Sequence, residues 1–252
     1  MRTVLLTNNR LGARIAAFLR DRGDLAALVL HPEERRTHGD AFAAIDAPAY
    51  TWPDGFDALS ELAPECVLSV LFAYRVPPEW LALAQWRAVN LHPGLLPYNK
   101  GAAPNAWPLV DGTPAGTTLH VMEATIDTGA IFAQREVSVG AYDTAATLYE
   151  RLESASYELF TEVWPGIRDL EPTPQAPGGT AHRLADLAQL DLTEADFPTL
   201  DRLRARTIGP FGAEFERDGR RYRARIEIEE VGDDSAETRG QRSVESTRNG
   251  ID

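Results

Sequence analysis

The chain has 252 residues, of which 44% are hydrophobic and 25% are charged. This is the composition of a globular protein, and it excludes a collagenous, coiled-coil or wholly disordered chain. Lysine and arginine number 25 against 38 aspartate and glutamate residues, which gives a formal net charge of −13 at pH 7. Because phosphate backbones and anionic lipids repel an anionic protein, binding to nucleic acid or to a membrane surface is disfavoured.

The cysteine and hydropathy patterns indicate the compartment. Cys66 is the only cysteine, which excludes an internal disulfide framework and a cysteine-rich zinc site. The apolar stretch within residues 1–7 is too short for a secretory signal. No run approaches the roughly 18 apolar residues that a membrane helix needs. We therefore expect a cytoplasmic protein.

The first half of the chain alternates short apolar runs with amphipathic segments. Fully apolar strands separated by helices indicate a mostly parallel sheet that is covered on both faces. We therefore predict an α/β fold with a doubly wound, Rossmann-like sheet, whose ligands bind beyond the carboxyl ends of the strands. The turn after the first strand lacks a G-x-G-x-x-G motif, so a dinucleotide site has little support. The predicted strands are 3–7, 25–30, 66–72 and 88–91, and the predicted helices are 11–21, 56–62 and a segment beginning at Pro78.

The second half has fewer and more widely spaced elements. Asp218-Gly219 is the clearest hairpin signal in the chain. We predict a catalytic domain over 1–170, a Pro- and Gly-rich linker at 171–179, a small helix-plus-hairpin subdomain over 180–231 and a disordered tail at 232–252. The predicted helices are 105–110, 144–163 and 198–206, and the predicted strands are 117–122, 130–137, 213–217 and 222–229.

Polar side chains suited to acyl transfer concentrate in two loops at predicted strand ends. Asn90 and His92 are two residues apart, so in a strand they lie on the same face. Asp127 follows the strand that contains His120. A histidine takes up a proton near neutral pH, a carboxylate orients or charges it, and an amide stabilises an oxyanion.

Each of these residues also has a simpler interpretation. His92 can be a packing or capping residue, and Asp127 an ordinary turn aspartate before Thr128-Gly129. His120 alternates with apolar neighbours, which favours a buried, supporting role. Lys100, the only lysine, can be a solvated loop charge. The histidines lack the spacing of a helical zinc site, so we predict no metal.

A set of motifs in a fixed order resembles the 10-formyltetrahydrofolate-dependent formyltransferase superfamily. The motifs are residues 90–97, 100–104, 116–120 and 127–131, followed by Gln134. The resemblance implies the formyltransferase fold and a catalytic trio of Asn90, His92 and Asp127. It also implies 10-formyltetrahydrofolate as co-substrate. By position, the folate-contacting residues would be Phe72, Tyr74, Arg75 and Val76 in one segment, with Met122, Glu123, Ala124 and Ile126 in a second loop.

Within this superfamily the chain is most similar to the nucleotide-sugar N-formyltransferases. The similar segments are residues 96–107, 179–183 and 203–211, although 208–212 departs from the aromatic–Pro–Pro stretch expected there. The chain after the linker is too short for the barrel domain with which methionyl-tRNA formyltransferases hold tRNA. The resemblance implies a homodimer and a nucleotide-linked amino sugar as the acceptor. The residues that would bind this substrate are Tyr98, Asn99, Lys100 and Gly101.

The resemblance also implies a mechanism, in which the acceptor amine attacks the formyl carbon. Asn90 and His92 would stabilise the oxyanion, and Asp127 would orient His92 and help accept the amine proton.

Other functions remain open from the sequence. Another small amine, or methionyl-tRNA, can be the formyl acceptor. A non-catalytic folate-binding or nucleotide-binding module would keep the fold without turnover. The segment 124–130 also matches an aspartic-protease loop, but that chemistry needs a second copy of the aspartate.

Overall fold

A computed structural model describes residues 1–207 and 212–228. Short buried apolar runs form its central sheet, and the helices connect them. The strands are β1 Thr3–Thr7, β2 Leu25–Leu30, β3 Ala49–Thr51, β4 Cys66–Val70, β5 Arg87–His92, β6 Lys100–Gly101, β7 Ala115–Val121, β8 Ile131–Val137, β9 Ala181–His182, β10 Ala213–Arg217 and β11 Arg220–Ala224. The helices are α1 Arg10–Asp21, α2 Gly39–Ala43, α3 Phe56–Glu61, α4 Pro78–Leu81, α5 Trp107–Asp111, α6 Ala145–Val163 and α7 Phe197–Arg206. Four 3-10 helices are described, at Glu33–Arg35, Trp164–Asp169, Leu184–Leu190 and Glu194–Asp196.

The main sheet has seven strands in the order β3-β2-β1-β4-β5-β7-β8. Its first five strands are parallel. β7 then pairs antiparallel with β5, and β8 pairs antiparallel with β7. The predicted mostly parallel, Rossmann-like α/β fold is confirmed. The direction of the sheet changes next to β5, which is the strand that carries Asn90 and His92.

Both faces of the sheet are covered at its centre, which explains why β1, β2 and β4 are largely apolar and buried. Leu5 faces a cluster that includes Leu19 of α1 and Phe160 of α6. Its neighbour Leu6 faces the opposite cluster, which contains Trp52 and other aromatic residues. Adjacent residues of one strand therefore enter two separate cores.

The two longest helices begin at side-chain caps. The Asn9 side chain accepts a hydrogen bond from the backbone of Gly12 at the start of α1. Thr144 and Thr147 form a reciprocal capping box at the start of α6. Such caps satisfy backbone N–H groups that the first helical turn leaves without partners. α6 then buries Leu148, Leu152, Leu159 and Phe160 against the sheet.

Several predicted boundaries differ from the structure. β4 ends at Val70 rather than at residue 72, because Leu71 has a φ of 49°, outside the extended region. The strand predicted at 222–229 is present with different bounds: β11 spans Arg220–Ala224, residues 225–228 are not in a strand, and residue 229 lies outside the described residues. Asp218 and Gly219 both have positive φ and form a two-residue hairpin turn, so Arg217 pairs with Arg220. The tail predicted at 232–252 and the departure at 208–211 lie outside the described residues.

The predicted linker at 171–179 is bonded to the main sheet. Ile131 and Thr173 exchange backbone hydrogen bonds of 2.8 and 2.9 Å. Further along, β9 pairs in parallel with β6, which lies just after the loop that follows β5. The predicted domain boundaries stay predictions. Over residues 1–207 and 212–228, no helix is both long and apolar enough to cross a membrane.

Candidate active site

The candidate site lies at the carboxyl end of β5, beside the change of strand direction. In doubly wound sheets this is the position where ligands bind. Asn90 and His92 lie on one face of β5, and Asn90 is directly opposite His120 of β7 in the antiparallel register. Asn90 and His92 share a face because side chains alternate along β5. The pairing of β5 with β7 then brings His120 beside Asn90.

Asp127 joins these residues from the loop between β7 and β8. Its backbone has a φ of 54°, a left-handed conformation that aspartate tolerates better than most residues. Its side chain is 9% exposed. The Oδ1 atom lies 3.3 Å from Asn90 Nδ2, which donates to it, and 3.5 Å from His120 Nε2. The Oδ2 atom lies 3.5 Å from His92 Nδ1. The structure therefore brings Asn90, His92 and Asp127 together.

His120 acts as a buried support within this group. Its Nδ1 lies 2.8 Å from the carbonyl oxygen of Val121, and its Nε2 lies 3.1 Å from Asn90 Nδ2. A carbonyl can only accept, so we assign the proton of neutral His120 to Nδ1. Nε2 then accepts an N–H of Asn90. The two N–H bonds of the Asn90 amide thus point at His120 and Asp127.

His92 is held in one tautomer by the loop that follows it. Its Nε2 lies 2.9 Å from the carbonyl oxygen of Asn99, so this nitrogen carries the proton. Burial lowers the pKa of His92 below its ordinary value of 6.5, and the neighbouring charge of Asp127 opposes that effect. In neutral His92 the lone pair of Nδ1 therefore faces the Asp127 carboxylate.

Asp127 is held as a carboxylate. Burial alone would raise its pKa, but the positive charge that His92 and His120 carry when protonated, together with the backbone N–H of Gly101, lowers the pKa well below the usual range. The Gly101 hydrogen bond to Oδ2 is 2.8 Å long. The site therefore combines a fixed negative charge with a neutral imidazole, an arrangement that can accept a proton and stabilise the resulting cation.

The loop between β5 and β6 is fastened by Asn99. This residue is fully buried, with a φ of 58°. Its side-chain oxygen accepts hydrogen bonds from Thr113 and Thr180, and its amide donates to the carbonyl of Pro114. Its own backbone N–H donates to Thr180 Oγ1 over 2.8 Å. Among the predicted substrate residues, Asn99 therefore anchors the loop, whereas Tyr98 is exposed and Lys100 and Gly101 are half-buried.

A cavity of about 390 Å³ opens beside Gly101. Its lining combines backbone from the β6–β9 pair with side chains of both polar and apolar character. The residues around it are Lys100, Gly101, Ile126, Ala181, His182, Arg183 and Asp186. Because Gly101 also donates to Asp127, the cavity adjoins the candidate trio.

The two predicted folate segments contact each other. Phe72, Tyr74, Val76 and Met122 are half-buried and pack against the core that contains Trp52. Arg75 Nη2 donates to the carbonyl of Ala124 over 2.7 Å and so joins the two segments. Glu123, Ala124 and Ile126 are exposed. The result is an apolar, aromatic surface bordered by exposed backbone.

Sequence reasoning missed His31, Gln175 and Thr180. His31 follows β2, and its ring lies 4.9 Å from the Phe72 ring and 4.8 Å from the Tyr74 ring. Its place just past a strand end is a signal that could have found it. Gln175 donates to the carbonyls of Asp127 and Gly129. No local pattern marks Gln175 or Thr180, since both lie far along the chain from the groups that they contact.

Over the described residues, no group of three or more His, Cys, Asp or Glu side chains has an arrangement that could hold a metal ion. The hydrogen bonds and charge interactions of the trio join its own side chains. Others join them to backbone groups of Asn99 and Gly101.

The chain is similar to known proteins in sequence and in fold. Residues 40–164 match the formyl transferase family. The chain is 36% identical over 126 residues to dTDP-4-amino-4,6-dideoxyglucose formyltransferase of Mycobacterium tuberculosis, covering 50% of each protein. It is 29% identical over 210 residues to methionyl-tRNA formyltransferase of Myxococcus xanthus, covering 75% of this chain and 67% of that protein. The chain thus spans about half the length of the mycobacterial relative.

A solved formyltransferase structure is also similar to this chain. The formyltransferase PseJ of Anoxybacillus kamchatkensis, in complex with UDP-4,6-dideoxy-4-formamido-L-AltNAc and tetrahydrofolate, is 29% identical and superposes with a TM-score of 0.57. The match covers 74% of this chain and 88% of PseJ. The family match includes Asn90, His92 and Asp127. With its Rossmann-like sheet and these matches, the chain contains a formyl transferase domain over residues 40–164.

Proposed function

We propose that the chain transfers the formyl group of 10-formyltetrahydrofolate to the primary amine of an amino sugar carried on a nucleotide. The observation that carries this proposal is the contact of Asn90, His92 and Asp127 at the end of β5, with each side chain within 3.5 Å of another. An amide, a neutral imidazole and a carboxylate in contact are the groups that acyl transfer to an amine requires.

The folate donor would bind on the surface formed by Phe72, Tyr74, Val76 and Met122. Ligand sites for flat heterocycles combine apolar walls with a few polar groups that fix orientation. Here the half-buried side chains supply the wall, and the exposed residues around Ala124 supply polar backbone groups at its border. Ile126, the last residue of the second folate segment, directly precedes Asp127, so a formyl group held at that end of the surface would reach the trio.

His92 and Asp127 would handle the proton of the attacking amine. As the bond from the amine nitrogen to the formyl carbon forms, His92 Nδ1 takes the amine proton. Asp127, 3.5 Å away, stabilises the imidazolium by its charge. The same proton then passes to N10 of the folate as the bond from N10 to the formyl carbon breaks. Asn99 keeps the other ring nitrogen protonated throughout.

Asn90 would stabilise the formyl oxygen as negative charge develops there. Of its two N–H contacts, the one to Asp127 is the longer, at 3.3 Å against 3.1 Å to His120. We therefore assign that N–H to the oxyanion in the transition state. Removal of one such donor typically costs about 10²–10³-fold in kcat.

The acceptor would approach from the cavity beside Gly101. Lys100 and Arg183 line this cavity, and their positive charges suit the diphosphate of a nucleotide sugar. The mycobacterial relative is named for a dTDP-linked amino sugar, and PseJ is in complex with a UDP-linked formamido sugar. These names support a nucleotide-linked acceptor.

Methionyl-tRNA is the second candidate acceptor. The Myxococcus relative named for that substrate matches 75% of this chain. A net charge of −13 opposes binding of a polyanion as large as tRNA. We therefore favour the sugar.

A cytoplasmic location and a homodimer are also part of the proposal. The free, buried thiol of Cys66 is compatible with a reducing compartment. Exposed apolar side chains on the C-terminal elements, among them Phe197 and Phe215, support an interface between copies.

An acceptor panel tests the function. Purified protein is incubated with 10-formyltetrahydrofolate and either dTDP-, UDP- or GDP-linked amino sugars or methionyl-tRNA. Release of tetrahydrofolate and the mass of the formylated product are measured. We expect turnover with a nucleotide-linked amino sugar. Turnover with methionyl-tRNA alone, or release of formate without a formylated acceptor, would contradict the proposal.

A further inference from the structure

Gln175 bonds to the loop that presents Asp127. Its side-chain nitrogen donates to the carbonyl oxygen of Asp127 over 2.8 Å and to that of Gly129 over 2.9 Å. A primary amide has two N–H bonds, so both are used. Gln175 lies outside residues 40–164, the part of the chain that matches the formyl transferase family.

The loop needs such an attachment. Residues 123–126 are exposed, so few packing contacts hold them. Asp127 itself has a φ of 54°, a conformation that costs free energy for a residue other than glycine. The two carbonyls bound by Gln175 lie on either side of Thr128. Attachment at two points fixes both peptide planes and thereby the direction in which the Asp127 side chain leaves the backbone.

Gln175 is itself well placed to hold that loop. Two residues before it, Thr173 exchanges two backbone hydrogen bonds with Ile131 at the start of β8. The Gln175 side-chain oxygen is buried without a hydrogen-bond partner. An unsatisfied buried carbonyl oxygen is destabilising. The two hydrogen bonds that the amide donates therefore account for the position of this side chain.

We propose that Gln175 is a positioning residue that holds the Asp127 carboxylate against His92. The inference rests on the proposed formyl transfer, in which those two groups move the amine proton. It extends the catalytic centre into the segment after the family match. Gln175 contacts the backbone of Asp127 and none of the reacting atoms, so it acts through Asp127.

Gln175→Met tests the proposal, because methionine has a similar length and no charge but cannot donate a hydrogen bond. We expect kcat to fall about 10- to 100-fold, since a displacement near 1 Å can cost about 100-fold. KM for donor and acceptor should stay within about threefold, because no side chain assigned to binding is altered. Gln85→Met is the matched control, since Gln85 is exposed and precedes the opposite end of β5.

A double-mutant cycle separates positioning from a general effect on the fold. In an Asp127→Asn background there is no carboxylate left to position, so Gln175→Met should lower kcat by less than about twofold further. An equal loss in both backgrounds, or a loss in Gln85→Met as large as in Gln175→Met, would overturn the proposal. So would unchanged kcat in Gln175→Met.

A titration of His92, which requires no catalysis, tests the role of Gln175 separately from the proposed function. The titratable groups that face His92 are Asp127 and His120. Displacing the Asp127 carboxylate removes a charge that favours the protonated imidazole. The His92 midpoint, followed by NMR in ligand-free protein, should therefore move to lower pH in Gln175→Met and stay unchanged in Gln85→Met. If the wild type transfers no formyl group, the proposed function fails, while this titration still decides the role of Gln175.

Discussion

The backbone N–H of Gly101 donates to the Asp127 carboxylate over 2.8 Å. Gly101 has a φ of 84°, and a Cβ atom built on it would lie 2.3 Å from the carbonyl oxygen of His182. The donor to the Asp127 carboxylate is thus available only because residue 101 is a glycine packed against β9. A side chain at this position would force the two backbones apart.

We predict that Gly101→Ala lowers kcat about 10- to 100-fold, because the shift that relieves the clash moves the donor away from Asp127. It should also destabilise the fold by about 1–3 kcal/mol, the usual range for a strained backbone position. Steady-state kinetics and thermal unfolding measure the two effects.

Gly178→Ala is the control for backbone strain alone. Gly178 has a similar φ of 94°, and a Cβ atom there would meet nothing within 4 Å. It should lose stability but keep most of its kcat. If both variants lose the same activity, the contact with His182 is not what holds Gly101 in place.

Substitution of the trio gives the next prediction. His92→Ala removes the proton acceptor and Asp127→Asn removes the charge that stabilises its cationic form. Each should lower kcat about 10²–10⁴-fold, the scale of a general acid–base contribution. Single-turnover measurements with saturating donor would report the chemical step. Turnover near that of the wild type in both variants would show that the trio is not the catalytic centre.

The sequence predicts much of this site, for identifiable reasons. The alternation of side chains along a strand suffices to put Asn90 and His92 on one face, and apolar runs locate the strand ends. The distance from Asp127 to His92 depends on the turn between β7 and β8, which local pattern does not encode. For Asp127 the family resemblance provided what the spacing could not.

Other parts could not be predicted because they depend on contacts distant in sequence. Asn99 is typical of an exposed loop by residue type, yet its left-handed backbone and its bonds to Thr113 and Thr180 turn it inward. The composition of 171–179 is typical of a free linker. Its attachment to Ile131 and Asp127 appears only in the folded chain.

The pH dependence of activity follows from the state of His92. Burial lowers its pKa below 6.5, and the neutral imidazole is the form that accepts the amine proton. After correction for the fraction of acceptor amine that is unprotonated, the rate should therefore be maintained as pH falls to 6.5 and be lost below it, as the imidazole becomes charged. A profile of kcat/KM against pH, which reports groups of the free enzyme and free substrate, measures this. An acid limb centred well above 6.5, with an acceptor whose amine pKa is known, would contradict it.

Stability should depend on pH through His31. Burial, with the nearby charge of Arg35, lowers the pKa of His31 from 6.5 to about 4. Between these values the unfolded chain binds more protons, so stability is lost as pH falls from 6.5 toward 4. The shift corresponds to about 3 kcal/mol at most. In His31→Gln, which keeps a hydrogen-bond acceptor but does not titrate, the thermal midpoint should change less over this range. If the thermal midpoint changes equally with pH in the wild type and in His31→Gln, groups other than His31 cause the loss of stability.

The hydrogen bond between Asn99 and Thr180 joins residues 81 positions apart, and this has a consequence for synthesis on the ribosome. The strands of the main sheet and the three residues of the trio leave the ribosome before Thr180 does. They also leave it before β9, the strand that pairs with Gly101. A nascent chain can therefore assemble its sheet early, since domains fold as their residues become available. The loop that contains Asn99 and Gly101 is fastened only afterwards, so we expect no formyl transfer by a nascent chain until the segment with Thr180 has been translated.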